Sequence, residues 1–225
     1  MPRLDIWLVE EGHFSSRQAA KRAIKEGLVT VNGMSVKPSK QITGNEDVIV
    51  SSLALDLPQG YKKLKQIDDF LGGTLASGNT FALDIGSSAG GFLFYLDERG
   101  ARSIGIEVSM TFVKKLHKIV DASENLSLIV GDAFTIALEE VCGLGELDLL
   151  LVDVTTEPEG TLQLIRRFTP LLRQEGRLVA AFKSKIDDDK IASIKQGILV
   201  DDYTDIQTPI LDSSRREFHL IAIRR

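Results

Sequence analysis

Residues 81–92 read FALDIGSSAGGF, an apolar run that leads into a glycine-rich turn. The run at 81–85 predicts a buried β-strand, because parallel strands covered on both sides are apolar throughout. A glycine turn after such a strand, followed by a helix from Gly91, is typical of a loop that binds a nucleotide. The stretch therefore predicts an α/β domain with a nucleotide site at the end of its first strand.

This loop lacks both common phosphate-binding patterns. A dinucleotide loop reads Gly-x-Gly-x-x-Gly, whereas the frame here is Gly86-x-Ser88-x-x-Gly91, so the glycine that lets the backbone approach a pyrophosphate is missing. The Gly-Lys-Ser/Thr signature is absent as well. Asp84, just before the loop, would repel phosphates, so it favours a ligand that is cationic or carries hydroxyl groups.

The rest of the chain after this loop alternates apolar runs with helical patterns. Candidate strands lie at 81–85, 103–106, 126–130, 147–152, 177–182, 198–206 and 218–223. Alternating strands and helices predict a mostly parallel, seven-stranded sheet of the Rossmann type with helices on both faces. No long helical pattern separates the last two runs, which predicts an antiparallel pair at one edge.

Two further carboxylates follow the second and third predicted strands. Glu107 lies 21 residues after Gly86, the reach of an acid that binds ribose hydroxyls. Asp132 follows the third strand, where a carboxylate can accept a hydrogen bond from an exocyclic amine such as that of adenine. A single acid at a strand end is ordinarily a solvated residue. Three acids at successive strand ends beside a glycine loop indicate a nucleoside site.

The set resembles the S-adenosylmethionine site of Rossmann-type methyltransferases. The resemblance implies that Asp84 lies near the methionine end of this cofactor, Glu107 at its ribose and Asp132 at its adenine. It also implies that the backbone and loop contacts come from Gly86, Ser87, Gly90, Gly91 and Phe92.

The first fifty residues predict a separate, small α+β unit. Apolar residues from Leu4 begin one helix, and a second helix runs to about Lys25 and ends at Gly27. Asn32-Gly33 is a strong hairpin signal between two short strands. On the second helix Arg17, Lys21 and Lys25 share one side, opposite a small apolar face that includes Ala20 and Ile24.

This unit resembles the S-four-type (alpha-L) RNA-binding domain. The matching residues are Arg3-Leu4-Asp5, Ser16-Arg17, Ala20, Ile24, Gly27, Val29, Val31-Asn32-Gly33, Val36-Lys37-Pro38-Ser39 and Asp47. The resemblance implies an RNA-facing set of Arg3, Arg17, Lys21, Lys25, Asn32 and Lys37. The expected boundaries are 1–52 for this domain, 53–60 for a linker and 61–225 for the methyltransferase domain.

The methyl acceptor is indicated by residues at four further points of the chain. Lys63, Asp153, Lys183 and Glu217 resemble, in order and position, the Lys-Asp-Lys-Glu tetrad of FtsJ-like ribose 2′-O-methyltransferases, with Lys62 as the alternative to Lys63. Asp153 would also adjoin the cofactor. The resemblance implies that Lys183 is the base, that Asp153 orients it, and that Lys63 and Glu217 are positioning groups. A lysine can take up the proton of a ribose hydroxyl only where burial or a neighbouring cation favours its neutral form.

Together the two parts make the chain similar to the TlyA (hemolysin-like) family of ribosomal RNA 2′-O-methyltransferases. The resemblance implies S-adenosyl-L-methionine as cofactor and ribosomal RNA or a ribosomal subunit as partner, with no metal. An alternative is an RNA- or ribosome-binding protein whose methyltransferase fold is catalytically inactive. A pore-forming role and a small-molecule methyltransferase fit the sequence less well, and the oligomeric state and target nucleotide stay open.

Composition narrows the class of protein further. The chain has 225 residues, a formal net charge of −5 and a single cysteine, Cys142. A net negative charge argues against binding nucleic acid by bulk charge, whereas residues 1–50 carry seven Lys/Arg against six Asp/Glu. Any contact with nucleic acid must therefore be a local patch. One cysteine excludes an internal disulfide and a cysteine metal cluster. No apolar run is long enough to span a bilayer and no secretory signal is visible, so we expect a cytoplasmic protein without membrane contact.

Overall fold

The computed structural model describes residues 2–11, 13–14, 17–51, 58–183, 188–199, 203–211 and 217–225. The chain forms two compact units, Met1–Leu57 and Pro58–Arg225. Ser16, which belongs to the RNA-binding resemblance, and most of the expected linker lie outside the described residues. Within the rest of that range, a helix begins at Gln59.

The first unit packs two helices against a small antiparallel sheet in the order β2-β1-β3. Its elements are α1 (Leu4–Glu10), α2 (Arg17–Lys25), β1 (Val29–Val31), β2 (Met34–Ser35) and β3 (Val48–Val50). Leu4, Leu8 and Ile24 enter a common core with the strands, which accounts for the apolar face of each helix. The predicted hairpin turn is confirmed, with positive φ angles of 50° at Asn32 and 74° at Gly33.

The second unit is a seven-stranded sheet in the order β6-β5-β4-β7-β8-β10-β9. Its strands are β4 (Phe81–Ile85), β5 (Arg102–Glu107), β6 (Leu126–Val130), β7 (Leu147–Val152), β8 (Leu172–Phe182), β9 (Tyr203–Gln207) and β10 (Phe218–Arg224). The first five of these pair in parallel, whereas β10 pairs antiparallel with both β8 and β9. The mostly parallel sheet and its antiparallel edge are therefore both confirmed.

Helices connect these strands and cover both faces of the sheet. They are α3 (Gln59–Phe70), α4 (Gly91–Glu98), α5 (Met110–Val120), α6 (Pro158–Phe168) and α7 (Asp188–Leu199). One large core cluster includes residues of α6 and α7, and a smaller one joins α4, α5 and β6. Strand β4 is buried at every residue, as its continuous apolar sequence predicts.

The expected strand at 198–206 is wrong in its first part. Ile198 lies in α7, four residues after Ile194, and both side chains are buried in the large core cluster. A spacing of four residues places them on one face of the helix. In the sequence alone, a short apolar run of this kind is compatible with either a helix or a strand. The strand itself begins at Tyr203.

Candidate active site

The candidate site lies where the parallel strands end. The order of the sheet reverses at β4, whose neighbours β5 and β7 lead to opposite edges, and ligands of such sheets bind at the carboxyl ends beside this point. Strand β10 runs in the opposite direction, so its beginning, not its end, lies at this edge, as the pairing of Phe218 with Phe182 shows. The topology thereby brings together residues from remote parts of the chain: Gly86, Glu107, Asp132, Asp153, Lys183 and Glu217.

Four charged side chains form a continuous cluster at this edge. The Lys63 ammonium lies 2.8 Å from Oδ2 of Asp153 and 2.8 Å from Oε1 of Glu217. The other carboxylate oxygen of Asp153, Oδ1, lies 2.9 Å from Nζ of Lys183. Asp153 therefore joins the two lysines. Lys62, the alternative considered from the sequence, is exposed and is not part of this cluster.

Burial divides the cluster into inner and outer members. The side chains of Lys63 and Glu217 are each 12% exposed and that of Asp153 is 15% exposed, whereas Lys183 is 33% exposed. Lys183 is thus the member that offers most of its surface to a ligand. Lys183, Lys63, Asp153 and Glu217 all line one cavity of about 390 Å³.

The ionisation of the inner members is fixed by their contacts. Burial disfavours the charged form of Lys63, but the carboxylates of Asp153 and Glu217 outweigh it and raise the pKa of this lysine. Burial likewise opposes ionisation of Asp153, yet the two lysines lower its pKa. For Glu217, contacts with His219 and Lys63 overcome burial and lower the pKa to about 2. At neutral pH Lys63 is therefore an ammonium group held between two carboxylates.

His219 is a member of the site that the sequence did not reveal. Its side chain is buried in β10, and Nε2 lies 3.3 Å from Oε1 of Glu217. Residues two apart on a strand point to the same side, so His219 shares the side on which Glu217 lies. A histidine within the apolar run FHLIAI was the available signal.

The glycine loop is shaped by close backbone contacts. Gly86 has φ +88°, and a Cβ there would lie 2.7 Å from the carbonyl oxygen of Asp153. A Cβ on Gly91 would lie 2.8 Å from the Cα of Gly60, so the first turns of α3 and α4 meet backbone to backbone. Residues of both first turns line the cavity of the charged cluster, where the amide ends of two helices favour an anionic group.

A second cavity of about 350 Å³ adjoins the same loop. Glu107 lies in its wall, and its two carboxylate oxygens accept hydrogen bonds from the backbone amides of Ser88 and Ser109, each at 2.7 Å. Each oxygen retains a lone pair for a further donor. Asp132 accepts a bond from the Phe134 amide at 2.9 Å and is exposed. The two cavities share Gly86, Ser88, Asp153 and Thr155 and so form neighbouring parts of one cleft.

The remaining loop residues differ in where they lie. Ser87, Gly91 and Phe92 line the cavity of the charged cluster together with Gly86. Gly90 has φ +80° and precedes α4, where a Cβ would lie 2.5 Å from the Ile119 side chain. Gly90 therefore packs against α5, on the side of the loop that faces away from the two cavities.

Asp84 is fully buried and lines neither cavity. Within the described part of the chain its carboxylate oxygens have no hydrogen bond of normal geometry, and the nearby Ser87 side chain only partly opposes the rise in its pKa. Burial first, and then the nearby charges of Asp153 and Glu107, raise its pKa to about 7. Its role at the methionine end of a cofactor stays a prediction.

The predicted RNA-facing residues of the first unit fall into two groups. Arg3, Lys21, Lys25 and Lys37 line one open concavity. Arg17 is not part of that wall, but it lies 3.2 Å from the carboxylate of the fully buried Asp5. Arg3 and Lys21 contact the same carboxylate, at 2.9 Å and 3.6 Å. Asn32 instead joins the hairpin turn to the residue before β3, because its Oδ1 accepts a bond from the Asp47 amide at 2.8 Å.

The described residues also bear on three further features: a metal site, a reactive thiol and a membrane-spanning helix. These residues contain no group of three or more His, Cys, Asp or Glu side chains arranged to hold a metal ion. Cys142 is a free, half-buried thiol, and its burial raises the pKa to about 11. Among the helices described, none combines the length and the apolar character needed to cross a bilayer.

Comparison with known proteins supports the division into two units. Residues 2–48 match the family model of the S4 domain. A search of curated proteins gives no significant match. Among solved structures, a "putative hemolysin" from Streptococcus thermophilus is similar over 99% of this chain and 88% of its own, with a TM-score of 0.58 and 17% identity.

Two further structures resemble the second unit. Fibrillarin from Aeropyrum pernix, solved with bound S-adenosyl-L-methionine, matches 72% of this chain and 75% of its own with a TM-score of 0.58 and 20% identity. A "putative rRNA-methylase" from Clostridium thermocellum matches 72% of this chain and 97% of its own with a TM-score of 0.57 and 13% identity. The chain thus consists of an S4 domain at residues 2–48 followed by a unit with the Rossmann-type methyltransferase fold.

Proposed function

We propose that this chain transfers a methyl group from S-adenosylmethionine to a ribose 2′-hydroxyl of structured RNA, with ribosomal RNA as the first candidate. The observation that carries the proposal is the cluster of Lys63, Asp153, Lys183 and Glu217 at the carboxyl edge of the sheet. Two lysines joined by one carboxylate suit a hydroxyl acceptor, which must lose a proton as it reacts.

The cleft has the donor and acceptor groups that S-adenosylmethionine requires. The Glu107 oxygens suit the two ribose hydroxyls, and Asp132 suits the adenine amine between Phe112 and Phe134. The first turns of α3 and α4 suit the carboxylate of this cofactor, and Asp153 suits one of its positively charged groups. When bound, the cofactor supplies a methyl group made electrophilic by its positive sulfur.

The charged cluster then orients and deprotonates the acceptor. Lys183, the most exposed member, acts as the neutral amine. It first releases its own proton to solvent and then takes up the proton of the attacking hydroxyl on Nζ. Asp153 fixes the direction of that lysine through Oδ1 and is itself held through Oδ2 by Lys63. Because Lys63 keeps its proton, it acts as a fixed positive charge and not as the base. Holding the oxygen in line with the methyl group supplies the remaining part of the rate enhancement.

RNA as the acceptor is supported by the first unit. An S4 domain with cationic side chains around one concavity provides phosphate contacts, whereas the chain as a whole is acidic. Duplex RNA is recognised mainly by shape and backbone, so a small basic face suffices to position a substrate. One of the proteins with a similar fold, from Clostridium thermocellum, is described as a "putative rRNA-methylase", which fits an RNA substrate.

The test is transfer of labelled methyl from S-adenosylmethionine to unmodified ribosomal subunits and to naked ribosomal RNA. We expect label in RNA with the parent protein and at least a hundredfold less with Lys183→Ala, while cofactor binding is retained. Binding of both cofactor and RNA without transfer to any RNA would overturn the proposal in favour of an inactive RNA-binding protein.

A further inference from the structure

A third cavity, of about 240 Å³, lies beside the charged cluster. Gln59, Lys63 and Glu217 belong to its wall and also to the wall of the cluster's own cavity, so the Lys63–Glu217 ion pair lies between the two spaces. Its other walls come from α3 and from Leu211 and His219. This cavity therefore adjoins the one that Lys183 lines.

The α3 wall of the cavity is wholly polar. Gln59, Lys62 and Gln66 follow the spacing i, i+3, i+7 and share one helical face with Lys63. A polar helix face is ordinarily a solvated surface, but this one forms the side of a concavity that ends at the candidate active site. Lys62 and Gln66 make no side-chain hydrogen bond or ion pair within the described part of the chain. Lys65 on the same helix is instead paired with Asp69 at 2.8 Å.

The chemistry of this wall matches a nucleotide. An ammonium group such as that of Lys62 binds a phosphate as a point charge. An amide such as that of Gln66 offers both a donor and an acceptor to the edge of a base. Leu211 supplies apolar surface for the face of an unstacked base. The groups that suit S-adenosylmethionine lie in the walls of the two other cavities.

We propose that this cavity binds the nucleotide next to the methylated one, with Lys62 on its phosphate and Gln66 on its base. The inference rests on the proposed function, since only an RNA acceptor continues beyond its reacting ribose. The phosphate contact adds affinity for every RNA, whereas the amide contact discriminates between bases. The cavity thus supplies part of the target selection independently of the S4 domain.

The test compares Lys62→Met and Gln66→Ala with Lys65→Met, a matched control on the same helix outside the cavity. Substrates are ribosomal RNA and a set of RNA oligonucleotides that differ only at the nucleotides flanking the methylated position. For Lys62→Met we expect KM for every RNA to rise about tenfold with kcat changed less than about twofold. For Gln66→Ala we expect a loss of preference among the flanking bases. The control and the affinity for S-adenosylmethionine should stay at the parent values.

The possible failures are distinguishable. If the parent methylates RNA but both cavity variants match the Lys65→Met control in KM and base preference, the cavity is not a nucleotide subsite and the proposed function stands. If kcat falls while KM stays constant, Lys62 acts on the reaction and not on binding, which also overturns the inference. If the parent methylates no RNA at all, the proposed function fails and the inference fails with it.

Discussion

Lys63 and Lys183 contact opposite oxygens of one carboxylate, that of Asp153, at 2.8 and 2.9 Å. The first lysine is nearly enclosed and the second is one-third exposed. This difference in exposure suggests that the two lysines have different roles. In the proposed mechanism Lys63 is therefore an anchored charge, and Lys183 is the group that exchanges a proton with the substrate.

The two lysines should therefore respond differently to replacement by arginine. Arginine keeps the positive charge but cannot release its proton in a protein. We expect Lys183→Arg to lower kcat by at least about a hundredfold, whereas Lys63→Arg, which keeps the required charge, loses about tenfold or less. Single-turnover methyl transfer at saturating cofactor measures both. Equal losses of kcat in the two variants would show that the two lysines do not have the different roles proposed for them.

Asp84 should make the stability of the protein depend on pH. Its pKa is about 7 in the folded chain against 3.8 for an ordinary aspartate, so the unfolded chain releases this proton first. Folding then takes up a proton, and the free energy of unfolding falls as the pH rises from about 4 to 7. Relative to Asp84→Asn, the parent should lose on the order of 3 kcal/mol across this window.

Chemical denaturation at several pH values, without cofactor, measures this difference. The asparagine amide has its own cost of burial, but that cost does not vary with pH, so only the slope of the difference is diagnostic. A difference that is constant from pH 4 to 8 would mean that Asp84 ionises normally despite its burial.

Glu107 should contribute more to cofactor affinity than Asp132. Glu107 is almost fully buried and fixes the amides of Ser88 and Ser109, whereas Asp132 is exposed and competes with water. We expect Glu107→Gln to weaken S-adenosylmethionine binding by about 10- to 100-fold and Asp132→Ala by less than about tenfold. Calorimetric titration with S-adenosylmethionine provides the affinities, with the exposed Glu124→Gln as control. The reverse order would place the adenosine elsewhere in the cleft.

Arg17 should act on RNA and not on the cofactor. It is half-exposed on α2 and is oriented by the buried carboxylate of Asp5. We expect Arg17→Glu to weaken RNA binding by about tenfold, to reduce its dependence on salt concentration, and to leave S-adenosylmethionine affinity unchanged. Lys115→Glu, an exposed change of the same charge in the second unit, serves as the control. An RNA affinity equal to that of the parent at moderate salt would remove the proposed RNA face.

The sheet could be predicted from the sequence because each buried strand is recognisable by its own residues. Buried parallel strands are continuous apolar runs, and acids at their ends stand out against them, as at Glu107. The sequence analysis preferred Lys63 and kept Lys62 as an alternative, because adjacent residues on a helix point about 100° apart and the rotation of α3 is set by its packing on α4. His219 was missed for a similar reason, since its meaning depends on contact with Glu217.

The position of the transferred methyl group tests the central claim most directly. Alkaline hydrolysis cleaves RNA through the 2′-hydroxyl, so a 2′-O-methyl group protects the following bond and leaves a dinucleotide. After labelling of ribosomal RNA by the parent protein, we predict that the label is recovered in alkali-resistant dinucleotides and is absent from them with Lys183→Ala. Label recovered instead in single nucleotides would show methylation of a base and would contradict the account.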